Sequence, residues 1–185
     1  MTEFDAVVLA GGTGRRLGGV DKAALRLGGR TLLDGVLLAA AAAARTVVVG
    51  PERPTVRPVV WTREAPVGGG PLAGLAVGAR RTSAPVVLVL ATDLARIGVD
   101  DVARLVAALT PGADAAVFVD DAGRVQPLAG AYRRAPLMAA LDALEPVAGR
   151  AVRELLVGMS VRGVPDGGAS LDVDTVEDLD RERGR

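Results

Sequence analysis

Cysteine and histidine are both absent from this sequence. Their absence excludes disulfides, thiol nucleophiles, histidine metal sites and histidine acid–base catalysis. Aromatic side chains are scarce, with one Trp, one Tyr and two Phe. The core must therefore be built from Val, Leu and Ala. Net charge is missing too: 22 basic residues balance 22 acidic ones. No overall field then favours nucleic acid or an anionic membrane as partner. No apolar run reaches the roughly 18 residues of a membrane-spanning helix, and the opening MTEFD is not a signal peptide. A cytoplasmic location is expected. Lysine is nearly absent as well: among the 22 basic residues only Lys22 is not arginine.

What remains is an alternation of apolar β-type runs and helical patterns. Strands are expected at residues 4–10, 46–49, 56–61, 86–91, 115–119, 126–132 and 161–164. Helices are expected at 31–44, 71–81, 100–109, 135–144, 151–156 and 175–183. The run at 86–91 is unbroken, as in a strand buried on both faces. Strands alternating with helices predict an α/β fold, a single three-layer α/β/α domain around a mostly parallel, twisted sheet. The length of 185 residues suits one such domain. In these folds ligands bind at the carboxyl ends of the strands. Three features fall there: the loop after the first strand, Thr92-Asp93 after the run at 86–91, and the segment 67–74 before a helix.

The first of these loops reads LAGGTGRRLGGVDK over residues 9–22. Its glycines let backbone N–H groups approach a phosphate closely. Arg15, Arg16 and Lys22 supply positive charge, so a phosphorylated ligand is expected; the alternative is a glycine loop with solvated arginines. Two phosphate-loop templates do not fit. No glycine is followed by lysine as a Walker loop requires. The dinucleotide fingerprint starting at Gly12 meets Leu17 where its third glycine belongs, and no acidic residue ends the second strand.

The segment Leu9-Ala10-Gly11-Gly12…Arg16-Leu17-Gly18-Gly19-Val20-Asp21-Lys22 resembles the signature of the molybdenum cofactor guanylyltransferase family. So do Gly70-Pro71-Leu72-Ala73-Gly74, the strand ending in Thr92-Asp93, and Gln126-Pro127-Leu128 with Tyr132-Arg133. Gly149-Arg150-Ala151-Val152-Arg153 and Asp172-Val173-Asp174-Thr175 complete the set, which spans nearly the whole chain in order. The resemblance implies a Rossmann-like nucleotidyltransferase fold. Residues 1–110 would form the nucleotide-binding half and 111–185 the acceptor half. It further implies transfer of GMP from GTP to the phosphate of molybdopterin or its metal-loaded form, with Mg²⁺ as cofactor. GTP and molybdopterin would be its ligands, and a molybdoenzyme or insertion chaperone its protein partner, with the chain a monomer or weak oligomer.

Such chemistry needs in-line positioning and charge neutralisation more than a histidine base. By resemblance Arg16, Lys22 and Asp93 are the catalytic residues. Leu9, Ala10, Gly11, Gly12, Lys22, Gly70, Pro71, Leu72 and Asp93 would bind the nucleotide, and Asp93 and Asp174 the metal. A carboxylate at the mouth of a buried strand suits Mg²⁺, although Asp93 could instead cap the loop. Asp172 and Asp174 could instead complement the dipole of the last helix. Gln126, Arg133 and Arg150 are candidates for the pterin side, or ordinary surface polar residues. The chain departs from the family pattern at Gly50, Ala65, Ala95 and Val176. Ala65 stands where the family commonly has an aspartate. The alternatives are a related nucleotidyltransferase with another phosphate acceptor, or a catalytically weak nucleotide- or molybdopterin-binding module.

Overall fold

The computed structural model describes residues 2–11, 21–64 and 67–169. Among these residues a seven-stranded sheet runs through the molecule. Its strands are β1 (Phe4–Leu9), β4 (Thr46–Val49), β5 (Val60–Thr62), β6 (Val86–Ala91), β7 (Ala115–Val119), β8 (Val125–Arg133) and β9 (Val161–Pro165). They lie in the order β5-β4-β1-β6-β8-β7-β9. Only β8 is antiparallel to its neighbours. It returns from β7 through a tight turn in which Gly123 has φ +76°, a conformation glycine adopts without strain. A two-stranded hairpin, β2 (Arg26–Leu27) and β3 (Arg30–Thr31), stands apart from the sheet. The sequence pattern did not reveal it, because two-residue strands leave no periodic signal.

Successive side chains of a strand point to opposite faces, and the aliphatic strands split the core accordingly. Ala6, Val8, Val48, Leu88, Leu90 and Phe118 face one side. There they meet α1 (Leu32–Ala39) and α3 (Val99–Ala107). Val7, Leu9, Val49, Val87, Val89 and Tyr132 face the other, against α2 (Pro71–Ala79) and α4 (Arg134–Ala143). α1 presents Leu33, Val36, Leu37 and Ala40, the i, i+3, i+4, i+7 stripe of a core-facing helix. α2 is buried almost all round, lying between the sheet and α4. A Cβ at Gly78 would come within 2.5 Å of Val7 Cγ1, so glycine is what lets α2 seat on β1.

The strands at 46–49, 86–91 and 115–119 match their expected bounds. The helix expected over 31–44 ends at Ala39. Local alanine propensity favours continuation. However, the Ala44 N–H donates to the Phe4 carbonyl (2.9 Å) so that β4 can start beside β1, and that requires a turn. The strand expected at 56–61 forms only at Val60–Thr62; Pro58 has no N–H to give a ladder. The segment 151–156 forms a 3-10 turn over Val152–Leu156 rather than an α-helix. The helix expected at 175–183 lies outside the described residues. Among the described residues no helix is long and apolar enough to cross a membrane.

Thr46 is buried on β4, and its Oγ1 has no hydrogen-bond partner among the described residues. Burying a hydroxyl without a partner costs about 1–3 kcal/mol. Thr46→Val should therefore stabilise the protein by up to about 1 kcal/mol, a rise of roughly 2–4 °C in Tm. Differential scanning calorimetry of the two proteins checks this; a lower Tm for the variant would show that the hydroxyl is satisfied.

Candidate active site

β1 leads to β4 on one side, and β6 leads on towards β8 and β7 on the other, so the order in which strands are added reverses between the parallel strands β1 and β6. The crevice outside such a switch point is where open α/β sheets bind ligands. The ends of the two strands are tied together there. Thr92 N–H donates to the Leu9 carbonyl (3.2 Å), and Ala10 N–H to the Val49 carbonyl (2.8 Å). Two of the backbone groups at Leu9 and Ala10 thus build the rim. Gly11 is exposed beyond them, and a Cβ there would be no closer than 3.8 Å to any non-neighbouring atom, the Val49 carbonyl oxygen.

Lys22 and Asp93, 71 positions apart by their numbering, meet at this rim. Lys22 Nζ lies 3.6 Å from Asp93 Oδ2, with the side chains 19% and 25% exposed. A partly exposed pair at this distance stabilises a fold by only about 0–1 kcal/mol. Stability is thus a weak reason for placing both charges here. The lysine opens the 3-10 turn Lys22–Ala24, whose N-cap is Asp21: its Oδ1 accepts from Ala23 N–H at 3.1 Å. The other carboxylate oxygen of Asp21 pairs with Arg53, beyond β4. Asp21 therefore orients the lysine turn and fastens it to the neighbouring loop. Arg53 has no motif around it and was invisible in the sequence.

α2 brings its amino end to the same rim. Gly70 is the N-cap, with φ +91°, and Pro71 occupies the first turn, where its missing N–H costs nothing. Gly74 lets the helix pack against Leu9 and Val49, since a Cβ there would already touch both at 3.5 Å. The Leu72 side chain is fully buried in the core, so only Gly70 and Pro71 of this trio stand near the surface. Glu64 does not replace a carboxylate at position 65 here: its Oε1 accepts from Gly68 N–H at 3.3 Å. Ala65 lies outside the described residues, as do Gly12, Arg16, Asp172, Asp174 and Val176.

Beside Asp93 a cleft of about 280 Å³ opens between β6 and β8. Gln126, Pro127, Leu128 and Ala129 form one wall, Ala151, Val152 and Arg153 another, and Asp93 sits at the edge. Gln126, a candidate for the pterin side or an ordinary polar residue in the sequence, lines this cleft. Arg153 and the 127–129 wall were not singled out, although the sequence motifs around them contained them. Arg133 is a correction. Its guanidinium donates to the carbonyls of Ala113, Leu109 and Thr110. It pairs in register with Val86 at the start of β6, the end of the sheet away from Asp93. Arg150 is exposed and bound to Glu154 (3.0 Å) and the Pro146 carbonyl (3.2 Å). The Ala151 N–H, with Arg150 beside it, holds the Glu154 carboxyl below the usual carboxylate range. Gly149 N–H donates to the Gly69 carbonyl (2.9 Å), joining this loop to the segment before α2.

The MobA-like NTP transferase domain model matches residues 6–161. A molybdenum cofactor guanylyltransferase from a Shewanella species is 30% identical over 131 residues, 68% of this chain and 66% of that protein. The chain thus spans just under two thirds of that relative's length, and 56% of a second one from Bordetella petrii. Among solved structures, molybdopterin-guanine dinucleotide biosynthesis protein A from Archaeoglobus fulgidus superposes with a TM-score of 0.77. It is 21% identical and covers 97% of both chains. At that identity the likeness shows the fold alone.

Proposed function

Because the chain belongs to the MobA-like NTP transferase domain family, matched over residues 6–161, we propose that it transfers GMP from GTP to molybdopterin phosphate. One observation carries this reading: Lys22 and Asp93 meet at 3.6 Å where β1 and β6 end, beside a cleft walled by β8. Nucleotidyl transfer needs a cation for the triphosphate and a carboxylate beside it, with a second pocket in line for the acceptor. Residues 1–110 supply the first two. Residues 111–185 supply Gln126 and Arg153 for the pterin. The curated relatives' names support guanine as the base.

In the reaction an oxygen of the pterin phosphate attacks the α-phosphorus of GTP. The bond from that phosphorus to the bridging oxygen breaks, and pyrophosphate leaves with the electron pair. Lys22 holds triphosphate oxygens as a compact point charge, and the α2 amino end favours negative charge nearby. Arg16 would join Lys22 from the glycine loop. The donor set fits Mg²⁺, which takes one or two protein carboxylates and fills its shell with phosphates and water. Asp93 offers a hard carboxylate donor at the rim, which suits an ion that arrives with its nucleotide. Asp174 would be the second carboxylate. Bound Mg²⁺ would neutralise charge on the phosphates. We place the reaction in the cytoplasm, with a molybdoenzyme or insertion chaperone receiving the product.

The test is turnover of α-labelled GTP with molybdopterin and Mg²⁺, with CTP and ATP as competitors. GTP-selective formation of the dinucleotide with release of pyrophosphate is the expected result. Transfer only to a different phosphate acceptor would replace the pterin assignment, and nucleotide binding without transfer would make the chain a binding module. Lys22→Ala should weaken GTP binding about tenfold or more, roughly 1.4 kcal/mol, by calorimetry. Unchanged affinity would remove Lys22 from the triphosphate.

A further inference from the structure

The wall of the cleft on β8 is a break in the sheet. Val117 pairs with Gly130, but the next residue of β7, Phe118, pairs with Gln126. One step on β7 therefore corresponds to four on β8. Pro127, Leu128 and Ala129 are looped out on that side, and these three residues line the cleft. Such bulges terminate pairing and re-aim side chains next to sites. A looped-out segment keeps one shape only if its freed backbone groups find partners.

Tyr132 supplies that partner. Its hydroxyl donates to the Pro127 carbonyl at 2.6 Å, five residues back along the same strand. The ring is fully buried, and it reaches that far because position 130 carries no side chain. A Cβ at Gly130 would lie 3.1 Å from Tyr132 Cε2 and 2.7 Å from Val117 Cγ1. At the other end Gln126 Nε2 donates to Asp120 Oδ2 (3.4 Å), which anchors the start of the bulge. Burial raises the Tyr132 pKa well above its ordinary value, so the phenol keeps its proton to donate.

We infer that Tyr132 is a positioning residue: through the Pro127 carbonyl it fixes the 126–129 bulge as the acceptor wall of the cleft. Glycine two residues before the tyrosine and proline five before it belong to one device. The inference rests on the guanylyl-transfer reading only for the identity of the acceptor. Tyr132→Phe keeps the buried ring and removes only the donor.

Two measurements on the whole chain decide it. Hydrogen–deuterium exchange should accelerate several-fold within 126–130 in the variant, with β1 and β6 unchanged. In steady-state kinetics KM for molybdopterin should rise about fivefold or more, while KM for GTP and kcat at saturating acceptor stay at wild-type values, a split diagnostic of lost acceptor binding. A purely structural role would instead lower Tm and affect both substrates together. Wild-type exchange in the bulge, or an unchanged KM for the acceptor in an active variant, overturns the inference. If the wild type makes no guanine dinucleotide, the guanylyl reading falls and exchange alone decides: local acceleration supports the pin, and unchanged exchange removes it.

Discussion

Asp93→Ala should lose about 10³-fold in kcat for guanylyl transfer, the loss expected when a charge-organising group is removed from a phosphoryl site. The fold should survive. Asp93 lies beyond the last residue of β6, its side chain is partly exposed, and the bond between its carbonyl and Ala95 N–H (2.8 Å) is made by the backbone. Surface changes of this kind usually shift stability by less than about 0.5 kcal/mol. Binding should separate from turnover. With its carboxylate neighbour gone, Lys22 still carries its charge towards the triphosphate, so GTP affinity without Mg²⁺ should hold or improve while turnover fails. Asp93→Asn, which keeps the shape and removes the charge, should fail to the same degree. Calorimetry with and without Mg²⁺, set beside single-turnover rates, checks both halves. A near wild-type rate in Asp93→Ala would remove the aspartate from the chemistry and return it to loop capping.

The second large effect concerns Gly50→Ala. Gly50 follows β4 at φ +154°, and an added Cβ would sit 2.8 Å from both the carbonyl carbon and oxygen of Ala10. The obstacle is backbone, so no side chain can swing aside to relieve it. The backbone in question is also tied down, by Ala10 N–H to the Val49 carbonyl (2.8 Å) and by Gly50 N–H to the Thr62 carbonyl (3.0 Å). The expected cost is about 2–4 kcal/mol, the range of overpacking in a buried region combined with strain. Chemical denaturation should show the loss as a lower midpoint with an unchanged slope. Since Ala10 and Gly11 form the rim beside Lys22, GTP affinity should fall in the folded fraction too. Retained stability would mean that β4 can move away from β1.

The sequence determined the strands at 46–49, 86–91 and 115–119, because apolar runs buried on both faces have one stable use in a chain of this kind. It also determined that the glycine loop and Thr92-Asp93 belong at one end of a mostly parallel sheet, since strand ends in such sheets converge. Their meeting at 3.6 Å through Lys22 and Asp93 agrees with that order. What depends on register was not legible. Gln126 and Arg133 read alike as polar ends of one motif. Nine-residue β8 carries them to opposite ends of the sheet, one beside Asp93 and one onto the carbonyls after α3. The Asp21–Arg53 pair, the early end of α1 and the bulge held by Tyr132 are likewise decided by which backbone groups lie opposite one another. Periodicity records which face a residue takes; only the folded sheet fixes its neighbours across the strands, and the cleft is made of those neighbours.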